Sequence, residues 1–587
     1  MDVGQVVVDV PDIDRHSPWS CSLRFRGPRP QGEQPPVVVV SVDNARVASV
    51  PAAGEYHDLG FTVPAGGRQL RLVLDVSPTF TPGTADKRIL GIQIDRLQCR
   101  PSGAAWPPTR ALTRAAAAAG FLAAVFVLAG FSLTVSLLSA GVVAFGSAMI
   151  VTTGAGVYGD YSNTVLRLTL WTVALTCAVM TGAERITRQR LSTAARLVFA
   201  ISAVAVVLKL TALMHPAKPD VDAIFHAHRL TDVIAGRRYF TQPFVGGVEM
   251  PYAIGLYVFA WPWTWLVADH VAVIRAVAAI ADVAAGALLY PMLARAWGNR
   301  RAAALAVLFY QLAPLGYAVL GNANLTNLFG QSVALVVVAA AVSWKLDLRR
   351  IVSLVGFTAL VTWAFCSHVS TITTLLATLG LLVILYWWRG DPDRRRAAAA
   401  IVVAVAVALA MSWFIYYRVF SAEISGAFSR MFSGGAGANA ATAAEAARGY
   451  MSTGERLRDL LMQAMFSAGW PMVVLAAAGT WLVFRKRRRD RLESALLAWA
   501  IVWIVFSAST VFSRVDEEFV RYTAEFLGRI NLATLPLVAI LAAKGAAAGW
   551  DDETPAGMRT PMRAVAVLLV ASALYLAWHA LIGWFSR

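Results

Sequence analysis

The chain has 587 residues, 58% of them hydrophobic and only 15% charged, with a formal net charge of +17. A soluble domain carries about 25% charged residues, so most of this chain belongs in lipid. The excess of Lys and Arg falls in short clusters between apolar runs of roughly 20 residues, which marks loops at a membrane face and excludes a nucleic-acid surface.

In chain order, residues 1–105 come first, with β-type runs near 21–26, 37–42, 70–76 and 89–97 separated by turns rich in Gly, Pro and Asn. Their period-two alternation predicts a small antiparallel β-sandwich, jelly-roll-like, with one face of each sheet buried. Trp19, Phe61 and Phe80 suit its core as well as a sugar platform, so a packing or positioning role is the plainer reading. Cys21 and Cys99 stand near the two ends of this segment and could form a disulfide if it lies outside the cytoplasm, or remain free thiols. Cys177 and Cys366 sit within apolar runs as small fillers, and the four cysteines show no zinc spacing. The first 30 residues lack a basic start followed by an apolar run. The expectation is therefore that the true start codon lies upstream and encodes one more helix.

Residues 106–587 carry about 14 apolar runs, near 112–131, 134–153, 163–183, 195–214, 274–294, 302–320, 329–345, 351–368, 371–388, 398–417, 466–484, 493–512, 528–547 and 563–584. The expected fold is thus a polytopic α-helical membrane protein with a small N-terminal β-sandwich. Basic clusters at 185–190, 295–301, 345–350, 389–396 and 485–491 should all be cytoplasmic. That alternation holds only if the apolar stretch 251–269, with Pro251, Pro262, Trp261, Trp263 and Trp265, does not cross but lies at the interface. Three long loops, 215–275, 417–465 and 513–529, then fall on the extracytoplasmic side together with the sandwich.

The first of these loops reads His215-Pro-Ala-Lys218-Pro-Asp220-Val-Asp222-Ala-Ile-Phe-His226-Ala-His228-Arg229-Leu-Thr-Asp232. A helix from Asp222 onward puts His226 one turn on, on the same face. A carboxylate pair beside histidines can deprotonate an acceptor hydroxyl, or hold Mg or Mn through hard oxygen ligands from Asp220 and Asp222. The same residues also serve as the cap and polar face of an interfacial helix, with Asp220 or Asp222 as N-cap.

The order of parts resembles the GT-C membrane glycosyltransferases, among them the protein mannosyltransferases and the lipid A aminoarabinose transferases. Those parts are a spanning helix, an acidic pair at its outer end, an amphipathic segment, an aromatic stretch led by Pro251-Tyr252, and a helix ending in Arg295-Ala-Trp-Gly-Asn-Arg300-Arg301. The resemblance covers roughly residues 195–545 and is architectural; Asp220-Val-Asp222 stands where the mannosyltransferases have an Asp-Glu dipeptide. It is nearer to bacterial members that carry an N-terminal sandwich. It implies a plasma-membrane enzyme that moves a sugar from a polyprenyl-phosphate donor to an extracytoplasmic glycan, lipid or protein acceptor. Asp220 or Asp222 would be the loop's essential carboxylate, with Asp222 favoured for its neighbour His226.

Further candidates for substrate binding are His228 and Arg229 in the same loop, Asn324 and Asn327 in an amide-rich turn, and His368 between two helices. Arg521 and Arg529 in the last loop would either hold a lipid-linked phosphate, since guanidinium groups match phosphate oxygens bidentately, or form salt bridges with the acids beside them. The Gly-, Ala- and Ser-rich stretch 431–449 reads as a mobile outer loop, either disordered or a lid over a lipid-linked substrate. Two other classes compete: a transporter or flippase of lipid-linked sugars, and a scaffold in an envelope polysaccharide assembly. Spans nearly free of charge, with Lys209 and Asp282 towards helix ends, and no repeated half favour surface chemistry over transport. No nucleotide-binding motif is present, so the energy must come from an activated donor.

Overall fold

A computed structural model describes residues 4–10, 13–30, 32–81, 89–106, 108–138, 140–141, 144, 161–215, 218, 222–244, 248–432, 453–484, 490–512, 533–550 and 556–585. It divides into two compact units, Met1–Leu175 and Thr176–Arg587.

Among its described residues the first unit holds seven strands. A four-stranded sheet runs in the order β1 (Gln5–Val10), β6 (Leu70–Ser77), β3 (Val37–Val42), β4 (Ala45–Pro51). A three-stranded sheet runs β5 (His57–Val63), β2 (Trp19–Arg26), β7 (Gln93–Pro101), and every pairing in both is antiparallel. Alternate side chains of β2, namely Trp19, Cys21, Leu23 and Phe25, enter a core shared with Val38, Val40, Leu72 and Leu74. Trp19 and Phe61 are both core residues. Cys21 lies opposite Cys99 in the β2–β7 register, and the two form a disulfide. The strands at 5–10, 45–51 and 57–63 go beyond those expected. Helix α1 (Thr109–Leu128) follows, and α2 (Tyr161–Thr187) spans the boundary between the units.

The second unit is a helical bundle. Among the described residues of the whole chain, eleven helices are long and apolar enough to cross a membrane, or twelve if one bent pair is a single span. The chain is an integral membrane protein. Three of the 14 expected spans are not among these eleven. The run at 351–368 forms a helix of only 15 residues, Ile351–Phe365. The run at 466–484 begins in Thr453–Ala468 and continues in Trp470–Phe484 after a 100° bend, hinged at Gly469, whose φ of +86° suits glycine. The run at 134–153 lies largely outside the described residues.

Four helices frame the site, α3 (Thr193–Leu213), α4 (Ala223–Ile234), α5 (Gly255–Ala260) and α6 (His270–Ala287), and α7 (Leu289–Trp297) continues α6 towards the other end. They are followed by α8 (Arg300–Leu312), α9 (Pro314–Gly321), α10 (Leu325–Ser343), α11 (Ile351–Phe365), α12 (Val369–Arg389) and α13 (Pro392–Ile415). Stretch 251–269 does not cross: after the six-residue α5 it turns into a 3-10 segment, Trp261–Trp265, and Asp269 caps α6 by accepting from the amides of Val271 and Ala272.

Three of the basic loops meet at one end of the bundle. Arg396 lies 3.8 Å from Asp347, Arg491 donates to the carbonyl of Trp344, and Tyr386 donates to that of Arg491. The opposite end is where α3, α9, α11 and α13 finish.

Candidate functional site

At that opposite end α4 lies against α5 and α6. Its buried residues are Ala223, His226, Ala227, Leu230 and Val233, a stripe at helical spacing, so this amphipathic helix seats one face on the bundle and leaves the other open. Asp222 occupies the N-cap position without a side-chain capping bond and is exposed.

His226 belongs to the buried stripe, at 3% exposure. Its Nδ1 lies 2.8 Å from the Tyr257 hydroxyl and its Nε2 lies 2.9 Å from the carbonyl oxygen of Ala323. A carbonyl only accepts, so Nε2 carries the proton and Nδ1 accepts from Tyr257. Burial pushes the imidazole down to about 4, against weaker upward effects of the Ala323 carbonyl and the Asp222 charge. Both nitrogens are committed within the protein. The residue thereby pins α4 to α5 and to the α9–α10 turn, where Ala323 takes a φ of +55°.

The other expected residues divide. Asn327, 1% exposed, accepts from the Ser370 hydroxyl, which also meets His368 Nδ1 at 2.7 Å, so these two candidates from separate loops form one buried cluster. His368 caps α12 by accepting from the Ser370 amide. Asn324 is half-buried at the start of α10. His228 is exposed, whereas Arg229 lies over the rings of Phe240 and Phe225 and 3.5 Å from Asp232. Asp220, Arg521, Arg529 and the expected lid lie outside the described residues, apart from the first two residues of the lid stretch.

Tyrosines knit this end together. Tyr252 meets the Thr326 hydroxyl at 3.0 Å, Tyr416 donates to the Tyr252 carbonyl, and Tyr417 donates to that of Phe365. Gly255 donates its amide to the Cys366 carbonyl, and a Cβ there would meet Ser367 Oγ at 2.6 Å. The segments around 255, 323, 367 and 416 are thus joined to one another beneath α4.

A pair of cations at this end was not singled out from the sequence. Arg275 of α6, 6% exposed, donates to the Leu213 carbonyl at the C-terminus of α3. Lys218 lies close enough to feel its charge, and burial together with Arg275 lowers the ammonium's affinity for its proton. His215, buried at 9% exposure and likewise shifted down by burial, completes the group. The signal available was a charge set among apolar residues near the start of α6.

A second polar cluster lies inside the bundle. Lys209 Nζ stands 2.5 Å from Asp282 Oδ2 and 3.1 Å from Gln311 Oε1, while the Tyr310 hydroxyl donates to Asp282 Oδ1 at 2.7 Å. Among the described residues no group of three or more His, Cys, Asp or Glu is placed to hold a metal ion. The described donors of the expected cation site reduce to the single carboxylate of Asp222.

No family model matches the chain, and no curated protein matches it. It is similar to solved structures of the Archaeoglobus fulgidus oligosaccharyltransferase AglB. With an inhibitory peptide and a dolichol-phosphate, the match is at 12% identity and a TM-score of 0.40, covering 66% of this chain and 56% of that one. With Zn and sulfate the figures are 15%, 0.41, 66% and 53%. The alignment spans little more than half of the archaeal protein. ArnT from Cupriavidus metallidurans in the apo state matches at 15% identity and a TM-score of 0.41, over 67% of this chain and 76% of that one. At such TM-scores these likenesses carry no argument about chemistry, which rests on the residues.

Proposed function

We propose that the chain is a membrane glycosyltransferase that moves a sugar from a polyprenyl-phosphate carrier to a glycan, lipid or protein acceptor at the extracytoplasmic face of a bacterial plasma membrane. The observation that carries this reading is an exposed carboxylate, Asp222, at the start of a seated amphipathic helix, in the same short loop as Lys218, which feels the charge of Arg275 on α6. The basic loops at the other end support the sidedness, because cytoplasmic loops carry the Lys and Arg. The Cys21–Cys99 disulfide supports an oxidising compartment for the sandwich.

In this mechanism Asp222 takes the proton of the acceptor hydroxyl as its oxygen attacks the anomeric carbon of the donor sugar. The bond from that carbon to the phosphate oxygen breaks, and polyprenyl phosphate departs with the electron pair. Lys218 and Arg275 stabilise the phosphate's charge, Arg as a fork and Lys as a point charge, and Arg521 and Arg529 are further candidates. His226 positions the helix that carries the base. Asp220 would join Asp222 if a Mg or Mn ion takes part; no step is routed through one.

The test is sugar transfer in nanodiscs with a panel of radiolabelled polyprenyl-phosphate sugars. Asp222→Asn should slow transfer by about 100-fold or more with an unchanged melting temperature, because the residue is exposed. Full activity in a folded Asp222→Asn protein would remove the assignment.

A second reading, a carrier or flippase of lipid-linked sugars, is favoured by one observation: the Lys209–Asp282 pair is buried among the spans at 1% and 3% side-chain exposure. Its partners close it into a network, which suits a strut better than a binding site. Scrambling of a fluorescent prenyl-phosphate sugar between leaflets, without hydrolysis or transfer, would establish the carrier instead.

A further inference from the structure

The outward face of the three-stranded sheet carries an unusual charge pattern. On β2 the side chains alternate strictly, so that Ser20, Ser22, Arg24 and Arg26 face away from the core. The β7 register places Arg100 beside Ser20, Gln98 beside Ser22 and Arg96 beside Arg24, while β5 brings Asp58 to the other side of Arg24. Four arginines thus share one face against Asp58 and Asp95. Their side chains are open to solvent, Arg24 at 40% and Arg96 at 54%.

The arginines are also held in place. Arg26 Nε donates to Gln93 Oε1 at 2.8 Å and lies 4.6 Å from the Tyr56 ring centre. Arg24 stands 3.6 Å from Asp95, and Arg96 stands 3.8 Å from Asp58. Gly60, opposite Ser22, leaves open space at the middle of the face. The strands run about 25 Å at the usual rise per residue, long enough for several sugar units.

We propose that this face of the sandwich binds an acidic polysaccharide whose carboxylate or phosphate groups pair with Arg24, Arg96 and Arg100, while Ser22 and Gln98 bond its hydroxyls. Three observations select a glycan over an anionic bilayer. The cations are all arginines, whose planar forks fit discrete oxyanions. They are interleaved with hydroxyl and amide groups. No large apolar side chain stands among the β2 residues of this face to enter the acyl region, which interfacial binding uses. The proposal rests on the sheet alone and does not depend on the transferase reading.

The experiment titrates the whole protein in neutral-lipid nanodiscs with a fluorescently labelled octamer of galacturonic acid, with a neutral maltooctaose as control. Binding of the uronate alone is expected, weakening as salt rises and falling by 10-fold or more in an Arg24→Ser/Arg96→Ser variant whose sandwich melts as wild type does. A Ser20→Ala variant, altered on the same sheet without loss of charge, should bind normally. The proposal is overturned if the octamer does not bind at low salt, if maltooctaose binds equally, or if the double variant retains full affinity. It is likewise overturned if vesicles of phosphatidylglycerol bind through these arginines while the octamer does not.

Discussion

Removing Lys209 tests whether the bundle is held by a polar contact within its spans. In Lys209→Met the methylene packing largely stays, but Asp282, 3% exposed, keeps only the Tyr310 hydroxyl, and Gln311 Oε1 loses its donor. Breaking one partner of a buried pair costs about 3–5 kcal/mol, because the remaining charge has neither water nor a counter-ion. Asp282→Asn should cost about the same, leaving an ammonium 1% exposed without its carboxylate. The double variant Lys209→Met/Asp282→Asn contains no buried charge and loses only neutral hydrogen bonds, at about 1–3 kcal/mol. The two substitutions should therefore be far from additive, with a coupling of about 3 kcal/mol or more. Reversible unfolding of the purified protein in mixed micelles, followed by tryptophan fluorescence, measures each corner of the cycle. Single variants that each cost under about 1 kcal/mol and simply add would show that water reaches the pair and that the strut is not formed.

Two further outcomes follow from packing and titration. His226 binds a proton far less readily folded, at about 4, than at its ordinary value of 6.5. The unfolded chain therefore takes up more protons between these values, and stability falls as pH drops through that window by at most about 3 kcal/mol. Thermal melts from pH 7 to pH 4 should show this slope, and His226→Gln should flatten it while lowering the melting temperature at pH 7. Gly545 and Gly479 pack helix against helix so closely that a Cβ on Gly545 would press on the Leu475 carbonyl, and one on Gly479 on that of Leu541. Either change to Ala should destabilise the bundle by about 1–3 kcal/mol, and wild-type melting of both would refute the close approach.

What the sequence disclosed and what it withheld follow one physical line, that between local and distant partners. The α4 helix was legible because its stripe is local, and the behaviour of 251–269 was legible because charge on the flanking loops must alternate across a membrane. The stripe also showed where His226 lies. Its spacing from Ala223, Ala227, Leu230 and Val233 puts it on the buried side, whereas Asp222 stands before the helix at the N-cap position, exposed to solvent. Sharing a face at four residues' distance said that the two were neighbours, not that they did the same work. Lys209 and Asp282 are 73 positions apart and Lys218 and Arg275 are 57 apart, so only the packing of α3 and the loop after it against α6 joins them. The arginine face of the sandwich is intermediate: alternation along β2 was visible, but strand order brings Arg96 and Arg100 beside Arg24 and Ser20 across the sheet. A charge in an apolar span, or a basic row on a strand, therefore becomes chemically interpretable when the element that packs against it is known.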